Sequence, residues 1–169
     1  SNCPAADLDG EGVIGEVDGG PVLLGKVLNA GRVGAAAEQT GVASGAMDIT
    51  VDYLKQRKQF GKLIGEFQAL QHRAAHLYSE VEIARAATIK AQQLLDAGSE
   101  RADLMASVAK AKAGRACGLA VREGVQMHGG IGMTDEYDIG LYMKREAVLS
   151  ELFGSPRIHA NRVAELSGY

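Results

Sequence analysis

Gly31-Arg32-Val33-Gly34-Ala35-Ala36-Ala37-Glu38-Gln39-Thr40-Gly41-Val42-Ala43-Ser44-Gly45-Ala46-Met47 is the stretch whose reading decides the fold. Val33, Ala37, Gly41, Ser44 and Met47 recur every three or four residues, and Val51 and Leu54 carry the pattern on. That spacing predicts a helix from about Gly25 to Lys55. Its inner face is built of small residues, which lets neighbouring helices approach closely.

The same period continues toward the C-terminus. Phe67, Leu70, Ala74, Leu77, Val81 and Ala84 predict a second helix from about Gly65 to Ala97, stopped by Gly98. Ser99 is read as the N-cap of a third helix, with Leu104, Val108, Ala111, Val121 and Val125 as its stripe up to His128. A shorter helix is expected from Asp138 to about Phe153, and Ser155-Pro156 opens the last one. Long helices with short connections predict an all-α, up-down four-helix bundle over residues 26–169. Residues 1–25 differ. Asp7-Leu8-Asp9-Gly10-Glu11-Gly12 and Asp18-Gly19-Gly20-Pro21 are turn chemistry around a possible short strand at Val13-Ile14, a short irregular or β tail of a preceding domain or a linker.

Composition narrows the function classes. With 169 residues there is room for one domain with a sizeable core, and no Trp with only three Phe disfavours sheets. A net charge of -3 with no basic cluster argues against nucleic acid or an anionic membrane as partner. No apolar run approaches ~18–20 residues, so no membrane span is expected. No basic segment followed by an apolar core opens the sequence, so no signal peptide is expected. Cys3 and Cys117 lie in unlike contexts, which suits a reducing cytoplasm better than a disulfide framework.

Two segments carry more chemistry than a bundle needs. Arg57-Lys58-Gln59-Phe60-Gly61, leading to Phe67-Gln68, offers a guanidinium, an amide and aromatic faces. A guanidinium grips a pyrophosphate bidentately. The plainer reading, favoured on spacing alone, is a helix C-terminus where Lys55, Arg57 and Lys58 complement the dipole. Gln126-Met127-His128-Gly129-Gly130-Ile131-Gly132 follows a helix rather than a strand, so it is no dinucleotide fingerprint, and a helix C-cap explains it equally well. His128 reads as a dipole partner. His72 and His76 share a helix face but lack an acidic third ligand, so no metal site is expected. Asp135-Glu136 is read as a helix cap before it is read as an acid–base pair.

Together these segments resemble the C-terminal domain of the acyl-CoA dehydrogenases, from about Leu28 to Leu166. The resemblance is carried by Tyr53-Leu54, Arg57, Gln59-Phe60-Gly61, Phe67-Gln68, Gln71-His72, Ala109-Lys110-Ala111, Gln126, His128-Gly129-Gly130-Ile131-Gly132, Glu136-Tyr137, Arg145, Phe153-Gly154-Ser155, His159 and Arg162. It implies a four-helix bundle behind a middle β-domain, and an FAD enzyme that oxidises acyl-CoA thioesters to 2-enoyl-CoA and passes electrons to an electron-transferring flavoprotein. It implies FAD contacts at Arg57 and Gln59, with Phe60 and Phe67 packing near the nucleotide portion. Gln126, Gly129 and Gly130 resemble the segment reaching the FAD of a neighbouring subunit, and Arg32 the arginine near the substrate's thioester. The expected partners are an acyl-CoA substrate and a second copy or a related subunit.

The family keeps its catalytic Glu at one of two places, and here they hold Phe153 and Gly31. Neither accepts a proton, so no catalytic residue is assigned. Glu151 could serve if the correspondence slipped, but two helical positions turn its side chain about 200° away. A base could come from elsewhere, including absent domains, or the chain could be a non-catalytic subunit paired with a catalytic one, and this last is preferred. A pure scaffold that has lost the flavin is the alternative from another class.

Overall fold

The computed structural model describes residues 19–169, so Cys3 and the expected strand at Val13-Ile14 lie outside the described residues. Three long helices lead: α1 (Gly20–Gln56), α2 (Gln68–Asp96) and α3 (Ala102–His128). Two shorter ones follow, α4 (Ile139–Glu151) and α5 (Pro156–Leu166). Short 3-10 turns at Ile64–Glu66 and Gly129–Met133 precede α2 and follow α3.

Two core clusters fix the helix directions. Val33 and Ala36 of early α1 pack with Ala84 and Ala91 of late α2 and with Ala106, Ala109 and Ala113 of early α3. At the other end, Ala43 and Ala46 of α1 meet Leu77 and Val81 of early α2, Ala120 and Val121 of late α3, and Ile139 at the start of α4. Successive helices therefore run antiparallel, the up-down order expected from the sequence. The core is mostly alanine, so backbones sit close and dispersion between them supplies much of the attraction. Thr40 and Thr88 meet hydroxyl to hydroxyl at 3.3 Å between α1 and α2, each also bonded to the carbonyl four residues back.

α3 is the central element, buried on nearly every side and in contact with each of the other four helices. Pro156 at the start of α5 docks against Gly114, where an added methyl would lie 2.6 Å from its ring. Ser155 accepts a hydrogen bond from the Ile158 amide, the expected N-cap.

Several expectations need correction. α1 begins at Gly20, with Pro21 in its first turn, so residues 20–25 are helix rather than tail. The inner face of α1 is Val33, Ala36, Thr40, Ala43, Thr50 and Leu54, while Ala37 and Gly41 are exposed. Alanines on every side leave little contrast from which to read the phase. Ser99 does not cap α3, which begins at Ala102. Its hydroxyl accepts from the Arg101 amide and its carbonyl from Ala102. Asp135 and Glu136 form an exposed turn rather than a cap. A hairpin that the sequence reading did not anticipate lies between α1 and α2: β1 (Lys58–Gln59) pairs antiparallel with β2 (Lys62–Leu63).

Candidate functional site

α1 ends where Arg57 turns extended, its amide donating to Tyr53 O at 2.9 Å. The Arg57 carbonyl accepts from Ile64, closing the base of the hairpin. The tip is Phe60 at φ +55 followed by Gly61 at φ +80, the two positive values that a tight two-residue hairpin requires. Phe60 is 89% exposed, which is unusual for a bulky side chain in left-handed backbone. Its ring meets Phe67 edge-on at 6.2 Å, and the Lys62 ammonium sits 4.2 Å over Phe67.

The hairpin base faces the end of α3. Arg57, Gln59, Gln126, Gly129 and Gly130 line one groove of about 440 Å³. Five of the residues read from the sequence are thus brought together from segments far apart in the chain. Phe60 at the hairpin tip and Phe67 at the start of α2 stay outside that lining, and Arg32, Gly31 and Phe153 lie elsewhere. A second hollow of about 330 Å³ shares Tyr53, Arg57 and Ile131 with it and is also lined by Asp52, Gln56 and Tyr137.

The sequence reading missed several lining residues. Tyr53, one turn before Arg57, stacks on His128 with ring centroids 4.4 Å apart, and Tyr137 meets Tyr53 edge-on. His128 lies 2.7 Å from the Gly124 carbonyl through Nδ1, so that nitrogen is the protonated one. Its Nε2 is buried and has no hydrogen-bond partner among the described residues. Arg73 is tied to Glu123 at 2.6 Å, a hydrogen bond that raises its affinity for the proton. Arg57 is exposed and has no carboxylate partner among the described residues.

A free guanidinium, two amide side chains, bare glycine backbone and an aromatic flank suit one class of ligand. They fit a phosphate-bearing nucleotide, whose hydroxyls donate and whose phosphates accept. His72 and His76 are exposed, and no cluster that could hold a metal occurs among the described residues.

A second constellation joins the start of α1 to the α4–α5 turn. Asp103 holds two arginines, Arg162 at 2.6 Å and Arg32 at 3.3 Å, and Arg32 also donates to Asn29 at 2.8 Å. Burial and then the neighbouring Arg162 lower the Arg32 pKa, with Asp103 acting against them. The carbonyl of Leu149 accepts from buried Lys110 at 2.9 Å and from Gln39 at 3.0 Å. Burial lowers the Lys110 pKa. Phe153, at φ +58, lays its ring on Gly31, and a methyl added there would lie 2.7 Å from Cζ. Glu151 is exposed at the end of α4, so the side chain over Gly31 is that of Phe153.

The family described as acyl-CoA dehydrogenase, C-terminal domain, matches residues 18–167. A mitochondrial short/branched chain specific acyl-CoA dehydrogenase of Bos taurus is 38% identical over 90% of this chain and 35% of the relative. The chain thus spans about a third of that relative's length. The butyryl-CoA dehydrogenase of Megasphaera elsdenii superposes with a TM-score of 0.89 and 28% identity, over 94% of this chain and 41% of that one. The ChsE4-ChsE5 complex of Mycobacterium tuberculosis gives 0.78 and 26%, over 88% and 40%.

Proposed function

The chain belongs to the acyl-CoA dehydrogenases, matching their C-terminal domain, and on that premise we propose that the groove at Arg57 and Gln126 receives the nucleotide portion of FAD in the intact subunit. The observation that carries this reading is that the Arg57–Gln59 and Gln126–Gly130 segments line a single groove. Arg57 pairs with the pyrophosphate, since a free guanidinium and a diphosphate match in charge and geometry. Gln59 and Gln126 donate amide hydrogens beside it. Gly129 and Gly130 let the ligand approach the backbone. Phe60 from the hairpin tip and Phe67 from the start of α2 supply apolar contact. When bound, FAD supplies the hydride acceptor for α,β-dehydrogenation of an acyl-CoA thioester.

The finer assignments belong to the same proposal. The segment ahead of α1 is the end of the family's middle β-domain, and the whole subunit works in the cytoplasm. It acts on an acyl-CoA, as a homo-oligomer or with a related subunit, and gives its electrons to an electron-transferring flavoprotein. A second reading, a non-catalytic partner subunit, is favoured by the ring of Phe153 on Gly31, which fills both positions from which a base would act. The relative from Mycobacterium tuberculosis is itself a complex of two proteins.

The test is FAD affinity of the full-length protein. Arg57→Ala is expected to weaken it by about 1.5–3 kcal/mol, the scale of a charge-assisted hydrogen bond. An unchanged affinity in a fluorescence titration returns Arg57 to a solvated helix end.

A further inference from the structure

Resting on the family reading above, we propose that Phe153 is a stopper that closes this chain's own acyl site, so that the chain does not bind the thioester at all. This differs from a site that merely lacks a base, which would bind substrate without turning it over. The two positions at issue are not separately empty of carboxylate but fitted to each other. The Phe153 ring tip rests on the Gly31 α-carbon, where an added methyl would meet Cζ at 2.7 Å and Cε1 at 2.8 Å. Only glycine at 31 leaves the ring its seat.

The turn that presents the ring is pinned on every side. Lys110 Nζ and Gln39 Nε2 both donate to the Leu149 carbonyl, at 2.9 and 3.0 Å, fixing where α4 ends. The Gly154 amide donates to Glu151 O at 3.0 Å. His159 Nε2 lies 2.9 Å from the Phe153 carbonyl, so Nε2 carries the proton and donates. These bonds hold the turn in which Phe153 stands at φ +58.

Arg32 tells the same story independently. The resemblance places it near the thioester, yet its side chain is only 13% exposed and its Nη1 is committed to Asn29 and Asp103. Asp103 is shared with Arg162, so one carboxylate engages both guanidiniums, with the Arg162 and Asp103 side chains 38% and 32% exposed. Neither the ring nor the arginine is disposed to greet a substrate. Phe153 nevertheless keeps 40% of its surface exposed, so its loss would open the site outward and would not leave a sealed void.

The experiment counts thioester bound per copy of this chain. The full-length protein, as its natural oligomer, is titrated with butyryl-CoA and octanoyl-CoA by calorimetry, alongside Phe153→Ala and Phe153→Leu. Each variant is expected to add up to one bound equivalent per copy over wild type, with affinity at the new site raised at least tenfold. Phe153→Leu keeps an apolar side chain and serves if the alanine variant does not fold. Wild type that already binds one equivalent at every copy overturns the proposal, and so does a variant that folds and adds none. Flavin absorbance of the same samples judges the FAD reading separately. Flavin lost from wild type sinks that reading, whatever the thioester count.

Discussion

At His159, burial outweighs the hydrogen bond to the Phe153 carbonyl, and the proton affinity of the imidazole falls below its ordinary value. Arg32, Lys110 and Arg162 add to the effect. The unfolded chain titrates this group near its usual pKa of about 6.5. Between that pH and the lower folded value the unfolded state holds more protons, so stability falls as pH drops below about 6.5. Glu146 works with opposite sign: burial raises its pKa, and its contribution is lost as pH rises above about 4.5. Comparing wild type with His159→Gln removes the common part. The variant should lose stability less steeply between pH 6.5 and 5, as read from denaturation midpoints, and parallel curves would contradict the assignment. The Cys117 thiol, pushed up to about 12 mainly by burial, should resist alkylation at pH 8 until the protein unfolds. Labelling of native protein at the rate of a free thiol would show that α3 opens locally.

The 3-10 turn at Gly129–Met133 depends on close approach. A methyl on Gly132 would lie 2.8 Å from the Val125 carbonyl and 2.9 Å from His128 Cβ, both on the backbone-bound end of α3. Gly132→Ala should therefore cost about 1–3 kcal/mol and shift the groove wall, seen as a lower Tm together with weaker FAD binding in the intact protein. Gly41 is the contrast: mid-helix in α1, exposed, with nothing within 4 Å of an added methyl. Gly41→Ala should stabilise by roughly 0.5–1 kcal/mol through helix propensity alone. These elements also show what was legible. Five helices, and the stop at Gly98, could be read from period and punctuation. The phase of α1 could not, because Ala35, Ala36 and Ala37 carry no contrast between inside and outside. The hairpin was hidden because its strands have two residues each, too short for any alternation to register. Arg57, Gln59 and Gln126 were singled out through the family resemblance, since spacing alone favoured a plain helix end at Arg57, and the structure brings them to one groove; Tyr53 and Tyr137 carried the resemblance but were given no place beside them. Aromatics flanking a site look in sequence like any core aromatic, and only the stacking on His128 sets them apart.

For the molecule as a whole, this chain covers about a third of its curated relative. Residues 1–169 alone should therefore bind FAD weaker than micromolar, because the family's isoalloxazine ring is held largely by the β-domain. Tighter binding by calorimetry would show that the bundle suffices. The position of α3 has a kinetic consequence as well. Each of the other four helices leans on it, and residues from Ala102 to His128 are shielded on nearly every side. Its amide hydrogens can reach solvent deuterium only when the whole assembly comes apart. α4 and α5, whose outer faces are bare, can lift away singly. Exchange should thus strip α5 and α4 first and reach the middle of α3 last, at the rate set by complete opening.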